Sequence, residues 1–115
     1  MGANLSTVNL EEGMPTLEQA RSTMLTALQQ AREAGATGVK LIHGDGSSGV
    51  GGSLRIGIGA TLMQQMQNNR VSRVIFGENW RVSDPETWAV LQKYPAFKAD
   101  RDLGRGNKGI TIVLF

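Results

Sequence analysis

Short β-prone runs alternate with helix-periodic stretches along this chain, and that alternation restricts the fold more than any single motif. The first run, residues 7–10, ends in the acidic pair Glu11 and Glu12 and a turn at Gly13. Thr16 then offers an N-cap, and Gln19, three residues on, completes a capping box. Leu17, Ala20, Met24, Leu28 and Ala31 recur at three- and four-residue steps, which makes one apolar helix face. A second strand is predicted over 39–42. A second helix follows from a cap at Ser53, with Leu54, Ile58, Leu62 and Met66 facing inward. Gly57 and Gly59 fall inside it, each at a cost of about 1 kcal/mol relative to alanine, so they point to close packing or a less regular start. Residues 71–76 read as a third strand. Ser83 with Glu86 predicts a capped short helix carrying Trp88, Leu91 and Tyr94 on its packed face, ended by Pro95. Residues 110–114 close the chain as a strand apolar enough to be covered on both faces.

The order strand, helix, strand, helix, strand, short helix, strand favours an α/β fold with crossover helices. The expectation is a two-layer sandwich with a mixed, mainly parallel sheet of about four strands. Its 115 residues suit a single domain over 1–115. The strands ending at Leu10 and Ile42 should be parallel neighbours, so that Glu11, His43 and the glycine-rich segment share one edge.

Composition narrows the function classes. The chain has no cysteine, which excludes disulfides and thiolate metal sites and fits a cytoplasmic location. No apolar run approaches the length of a membrane span, and no secretory leader is evident. A net charge of +2 permits binding to phosphate backbones without requiring it.

The segment after the second strand carries the most chemistry. Five glycines lie between positions 44 and 52, where the chain passes from strand to helix. Such a turn lets backbone N–H groups approach an anion closely, aided by the helix dipole. His43 and Asp45 add acid, base or donor capacity, and Arg55 adds a cation in the first helical turn. Gly44, Gly46 and Gly49 match the dinucleotide-binding spacing, but the same spacing recurs at Gly104, Gly106 and Gly109, and the chain is too short for a two-half dinucleotide fold. No lysine followed by Ser or Thr closes the first loop, which excludes a Walker-type nucleotide loop. A second glycine-rich loop gathers Arg101, Arg105 and Lys108, suited either to phosphate contacts or to plain solvation. Trp80, flanked by Asn79 and Arg81, is the expected base-stacking residue, whereas Trp88 is expected in the core beside Leu91.

Taken together these residues resemble the Smr (small MutS-related) domain, in a stand-alone form with an altered first motif. Leu41-Ile42-His43-Gly44-Asp45-Gly46 is similar to the family's strand running into His-Gly-x-Gly. Gly52-Ser53-Leu54-Arg55 is similar to the start of its next helix, and Gly106 to Val113 to its closing Gly-x-Gly strand. At the family's Leu-Asp-x-His position stands Val8-Asn9-Leu10-Glu11. The resemblance implies a sandwich like the C-terminal domain of the third bacterial translation initiation factor. It also implies DNA or RNA as partner and, for an active member, a structure-selective endonuclease that nicks DNA or cuts RNA. In that case His43 would transfer a proton or orient a phosphate, and Glu11 or Glu12 would supply the carboxylate. Gly44, Asp45, Gly46, Arg55, Arg105, Lys108 and Trp80 would hold nucleic acid, with Mg²⁺ as the candidate cofactor. Two alternatives remain: a binding module without catalysis, and a binder of small phosphates or nucleotides. No membrane partner is expected.

Overall fold

The computed structural model describes residues 2–45 and 51–115. Four strands, β1 (Leu5–Asn9), β2 (Gly38–Ile42), β3 (Arg73–Phe76) and β4 (Ile110–Leu114), form one sheet in the order β1-β2-β4-β3. Three helices, α1 (Leu17–Glu33), α2 (Gly51–Gln67) and α3 (Pro85–Lys93), accompany them, with 3-10 turns at Gly77–Asn79 and Pro95–Ala99.

Strands β1 and β2 run parallel, with Asn9 opposite Ile42, as a strand–helix–strand unit requires. The sheet is not mainly parallel, however. Strand β4 inserts between β2 and β3 and is antiparallel to both. The reason lies in residues 77–109, which leave the sheet beside Phe76 and return at its partner Thr111. That segment is an excursion from one end of the sheet, not a crossover. Its two ends meet so closely that a Cβ on Gly77 would overlap the carbonyl oxygen of Asn107.

One face of the sheet is closed by α1 and α2. Thr16 caps α1 with the full reciprocal box, its hydroxyl accepting from the Gln19 amide at 3.1 Å and the Gln19 side chain accepting from the Thr16 amide at 2.9 Å. Ala20, Met24 and Leu28 then meet Leu54, Ile58 and Leu62 over Val39, Leu41, Val74 and Val113. Gly57 lets the two helices touch, because a Cβ there would strike the Leu17 side chain. Helix α2 begins at Gly51 rather than after a cap at Ser53.

The opposite face is not left open as a two-layer sandwich would leave it. Trp80, Val90, Leu91 and Phe97 from the excursion pack on Ile75, Ile110, Ile112 and Leu114, so β4 is buried along its whole length. Asp84, not Ser83, caps α3 by accepting from the Thr87 amide at 3.0 Å. The helix turns Thr87, Val90 and Leu91 inward and Trp88 outward. The two tryptophans therefore exchange their expected places. Trp80 is 0% exposed and Trp88 is 53% exposed.

Candidate nucleic-acid interface

Alternation along β2 assigns each functional side chain to a face. Val39 and Leu41 point to α1 and α2, and Lys40 and Ile42 point to the opposite side. His43 follows β2 and is 1% exposed. Its Nδ1 lies 2.8 Å from the Gly44 carbonyl oxygen and its Nε2 lies 2.8 Å from the Thr111 hydroxyl. A carbonyl only accepts, so Nδ1 donates, and the neutral ring accepts the Thr111 hydroxyl proton at Nε2. Burial pushes the His43 pKa below its ordinary 6.5, and the Arg55 charge adds to that. The Gly44 hydrogen bond and the charges of Glu11 and Glu78 oppose the shift without overcoming it. His43 is thus a neutral ring with both nitrogens engaged inside the fold.

The backbone at the same point ties the two glycine-rich segments together. The amides of His43 and Gly44 both donate to the Gly109 carbonyl, at 2.9 and 3.1 Å. The Gly44 amide is therefore already used and does not face an anion. Gly46, the other predicted loop glycine, lies outside the described residues, as do 47–50.

Beyond this junction, on the face away from α1 and α2, lies a cavity of about 540 Å³. Thr7, Lys40, Ile42 and Ile110 line its sheet side, and Glu11, Gly44 and Asp45 line it at the strand ends. Arg101, Asp102, Asn107 and Gly109 form the facing wall. Parallel pairing of β1 with β2 thus brings Glu11 to the glycine-rich segment. Asn9 assists, because its side-chain oxygen accepts from the Glu11 amide at 2.8 Å and turns the chain at the strand end. Glu12 is exposed and does not line the cavity.

Three charged groups that sequence patterning left out of the site prove central. Lys40, buried in β2, is held by Asp100 at 2.7 Å and Asp102 at 2.6 Å. Burial alone would depress its pKa, but hydrogen bonds and charge from the two aspartates outweigh it and hold the ammonium above the usual 10.5. The hydrogen bond from Lys40 in turn pulls the Asp102 carboxyl below its ordinary 3.8, against its own burial. Asp100 also accepts from the Trp80 indole N–H at 3.0 Å. This anchoring removes Trp80 from any role in base stacking. The legible signal was a lysine alternating with core residues in an apolar strand, which demands buried counter-charges.

Arg55, expected to meet a phosphate, is ion-paired with Glu78 just past β3. One Glu78 oxygen, Oε1, is buried without a hydrogen-bond partner among the described residues. Arg105 and Lys108 are exposed, and their side chains enter no ion pair among the described residues. No group of three or more His, Asp or Glu that could hold a metal occurs among the described residues.

A sequence model of the Smr domain matches residues 12–92, well over half of the 115-residue chain. The chain belongs to the Smr domain family. Smr domains generally bind nucleic acid and some of them cut it. No curated protein and no solved structure matches the chain. The Smr match includes His43, Arg55 and Glu78 but stops short of Arg101, Arg105, Lys108 and β4. No helix among the described residues is long and apolar enough to cross a membrane.

Proposed function

We propose that this Smr domain binds nucleic acid through the rim of the strand-end cavity and does so without strand scission by His43. The observation that carries the reading is the loop bearing Arg101, Arg105 and Lys108. Its three cations are exposed beside the cavity, and the loop is fastened to the glycine-rich segment through the Gly109 carbonyl. Cations placed in this way neutralise backbone phosphates and give affinity that ignores base sequence. Binding without cutting is favoured because His43 is buried, neutral and bonded at both ring nitrogens. A general base must reach the proton it removes directly or through one water. Cutting would instead need Glu11 or Glu12 to act with a mobilised His43.

The test is a fluorescence titration with single- and double-stranded DNA and RNA at several salt concentrations. Parallel incubations with and without Mg²⁺ score cutting. Affinity should fall steeply with salt, and Arg105→Ala and Lys108→Ala should each reduce the slope by about one unit. Arg55→Ala should leave the slope unchanged, because Glu78 already neutralises it. A flat salt dependence would sink the binding reading. Cutting that disappears in a folded His43→Ala variant would sink the binding-only half and restore the endonuclease. Binding of free nucleotide with no affinity for oligonucleotides would favour the small-phosphate alternative.

A further inference from the structure

The basic loop is fastened at both ends by hydrogen bonds that trace back to one buried lysine. Lys40 is 5% exposed in the middle of β2, and its ammonium meets Asp100 at 2.7 Å and Asp102 at 2.6 Å. Those two carboxylates flank Arg101, an exposed cation in the cavity wall. Asp102 extends the chain of contacts, because its other oxygen accepts from the Asn107 side-chain amide at 3.2 Å. The Asn107 side-chain oxygen accepts from the Gly109 amide at 2.9 Å, and the Gly109 carbonyl accepts from the His43 and Gly44 amides. Between these fixed points the Arg105 amide donates to the Asp102 carbonyl at 3.1 Å, and the Gly104 amide donates to the Trp80 carbonyl at 2.8 Å. Arg101, Arg105 and Lys108 therefore stand on a backbone held at its start, its middle and its end.

We propose that Lys40, Asp100 and Asp102 are positioning residues for nucleic-acid binding, which hold the loop of Arg101, Arg105 and Lys108 in its binding shape and touch no phosphate themselves. The inference rests on the nucleic-acid reading above and deepens it. Two carboxylates stand against the Lys40 ammonium and keep a phosphate from it. Charge alone would make Asp100 and Asp102 opponents of a polyanion. Positioning makes them contributors, because long side chains on an unfastened loop lose freedom on binding, and that loss weakens association. A loop that is already fixed loses less. The two effects have opposite signs, so removal of one carboxylate separates them. Asp102 is the informative choice, since it joins Lys40 to Asn107, whereas Asp100 also holds the buried Trp80 indole.

The experiment compares the whole chain with Asp102→Asn, which keeps the side chain's shape but sets an amide N–H against the Lys40 ammonium. Affinity for fluorescent single- and double-stranded oligonucleotides is measured at several salt concentrations. Asp102→Asn should weaken binding about fivefold even though it makes the chain more basic. Its salt slope should stay unchanged, because the same cations meet the same phosphates. In the free variant, amide hydrogen exchange at Arg105 and Gly109 should quicken, since their acceptors are Asp102 and Asn107. Glu33→Gln, the same charge change at an exposed position of α1, should not weaken binding. Lys40→Met should reproduce the loss, again with the slope unchanged. A slope lower by about one unit in that variant would mean that Lys40 itself meets a phosphate, which overturns the proposal. Unchanged amide exchange in Asp102→Asn overturns it as well, and so does binding as tight as, or tighter than, that of the unmodified chain. A merely structural role would cost stability and leave affinity alone. If the unmodified chain binds with a steep salt dependence while the variants bind equally well, the rim reading stands and only the positioning role falls. No oligonucleotide binding by the unmodified chain overturns both.

Discussion

On one face of the sheet, two seventeen-residue helices lay three- and four-step apolar stripes over Val39, Leu41, Val74 and Val113. On the other, residues 77–109 wander over Ile75, Ile110, Ile112 and Leu114 with one nine-residue helix and two 3-10 turns. The first face is held by burial spread across many similar contacts. The second has a smaller apolar cluster and is pinned by a few polar anchors, chiefly Trp80 on Asp100 and Lys40 on Asp100 and Asp102. Distributed burial tolerates loss of one contact, whereas an anchor removed leaves its partner buried and unsatisfied. The candidate interface is built on the second kind of face, so its shape depends on a handful of residues.

The largest test of this contrast compares the two tryptophans. Trp80→Ala should cost about 4 kcal/mol or more, because a fully buried indole leaves a cavity and Asp100 loses one of its donors. Trp88→Ala should stay within about 0.5 kcal/mol. Denaturant unfolding of both variants decides it, and equal losses would erase the distinction between anchor and surface.

Lys40→Met comes next, at about 3 kcal/mol near pH 7, because two half-buried aspartates lose their shared cation. The loss should shrink on acidification, since a carboxyl that has taken up a proton no longer needs the cation. The unmodified protein runs the other way. The Asp102 pKa is lowered from 3.8, so its contribution is full above that value and is lost as pH falls through the lowered folded value. Unfolding curves at neutral and acid pH should therefore converge for the two proteins.

His43 sharpens the comparison from the α1/α2 side, where it joins β2 to β4. His43→Ala should cost about 2 kcal/mol, because it removes the partners of Thr111 and the Gly44 carbonyl. With its pKa lowered from 6.5, its stabilisation is complete above 6.5 and is lost as pH falls through the lower folded value. The chain has one histidine, so a single imidazole NMR titration reads the midpoint directly. A midpoint at or above 6.5 would return His43 to the list of available bases.

The smallest effect belongs to the distributed face. Thr16→Ala removes one cap and should cost about 1 kcal/mol. A loss as large as that of Trp80→Ala would show that α1 is anchored by its end rather than by its stripe.

Periodicity alone determined α1, the packed face of α2, all four strands to within a few residues, and the parallel pairing that sets Glu11 beside the glycine-rich segment. These follow from local rules: a helix repeats its inner face every three or four residues, and a crossover has one preferred hand. The family motif around His43 was legible for the same reason, since its residues are consecutive. Only the tertiary structure decided where β4 inserts, which tryptophan is buried, and that Lys40 meets Asp102 across 62 residues. It alone paired Arg55 with Glu78 and closed His43 onto Thr111. Each of those outcomes is a contact between segments far apart in the chain. A side chain's own neighbours carry no information about such a partner, so flanking polar residues made Trp80 look exposed while its indole N–H was meeting an aspartate on the far side of α3.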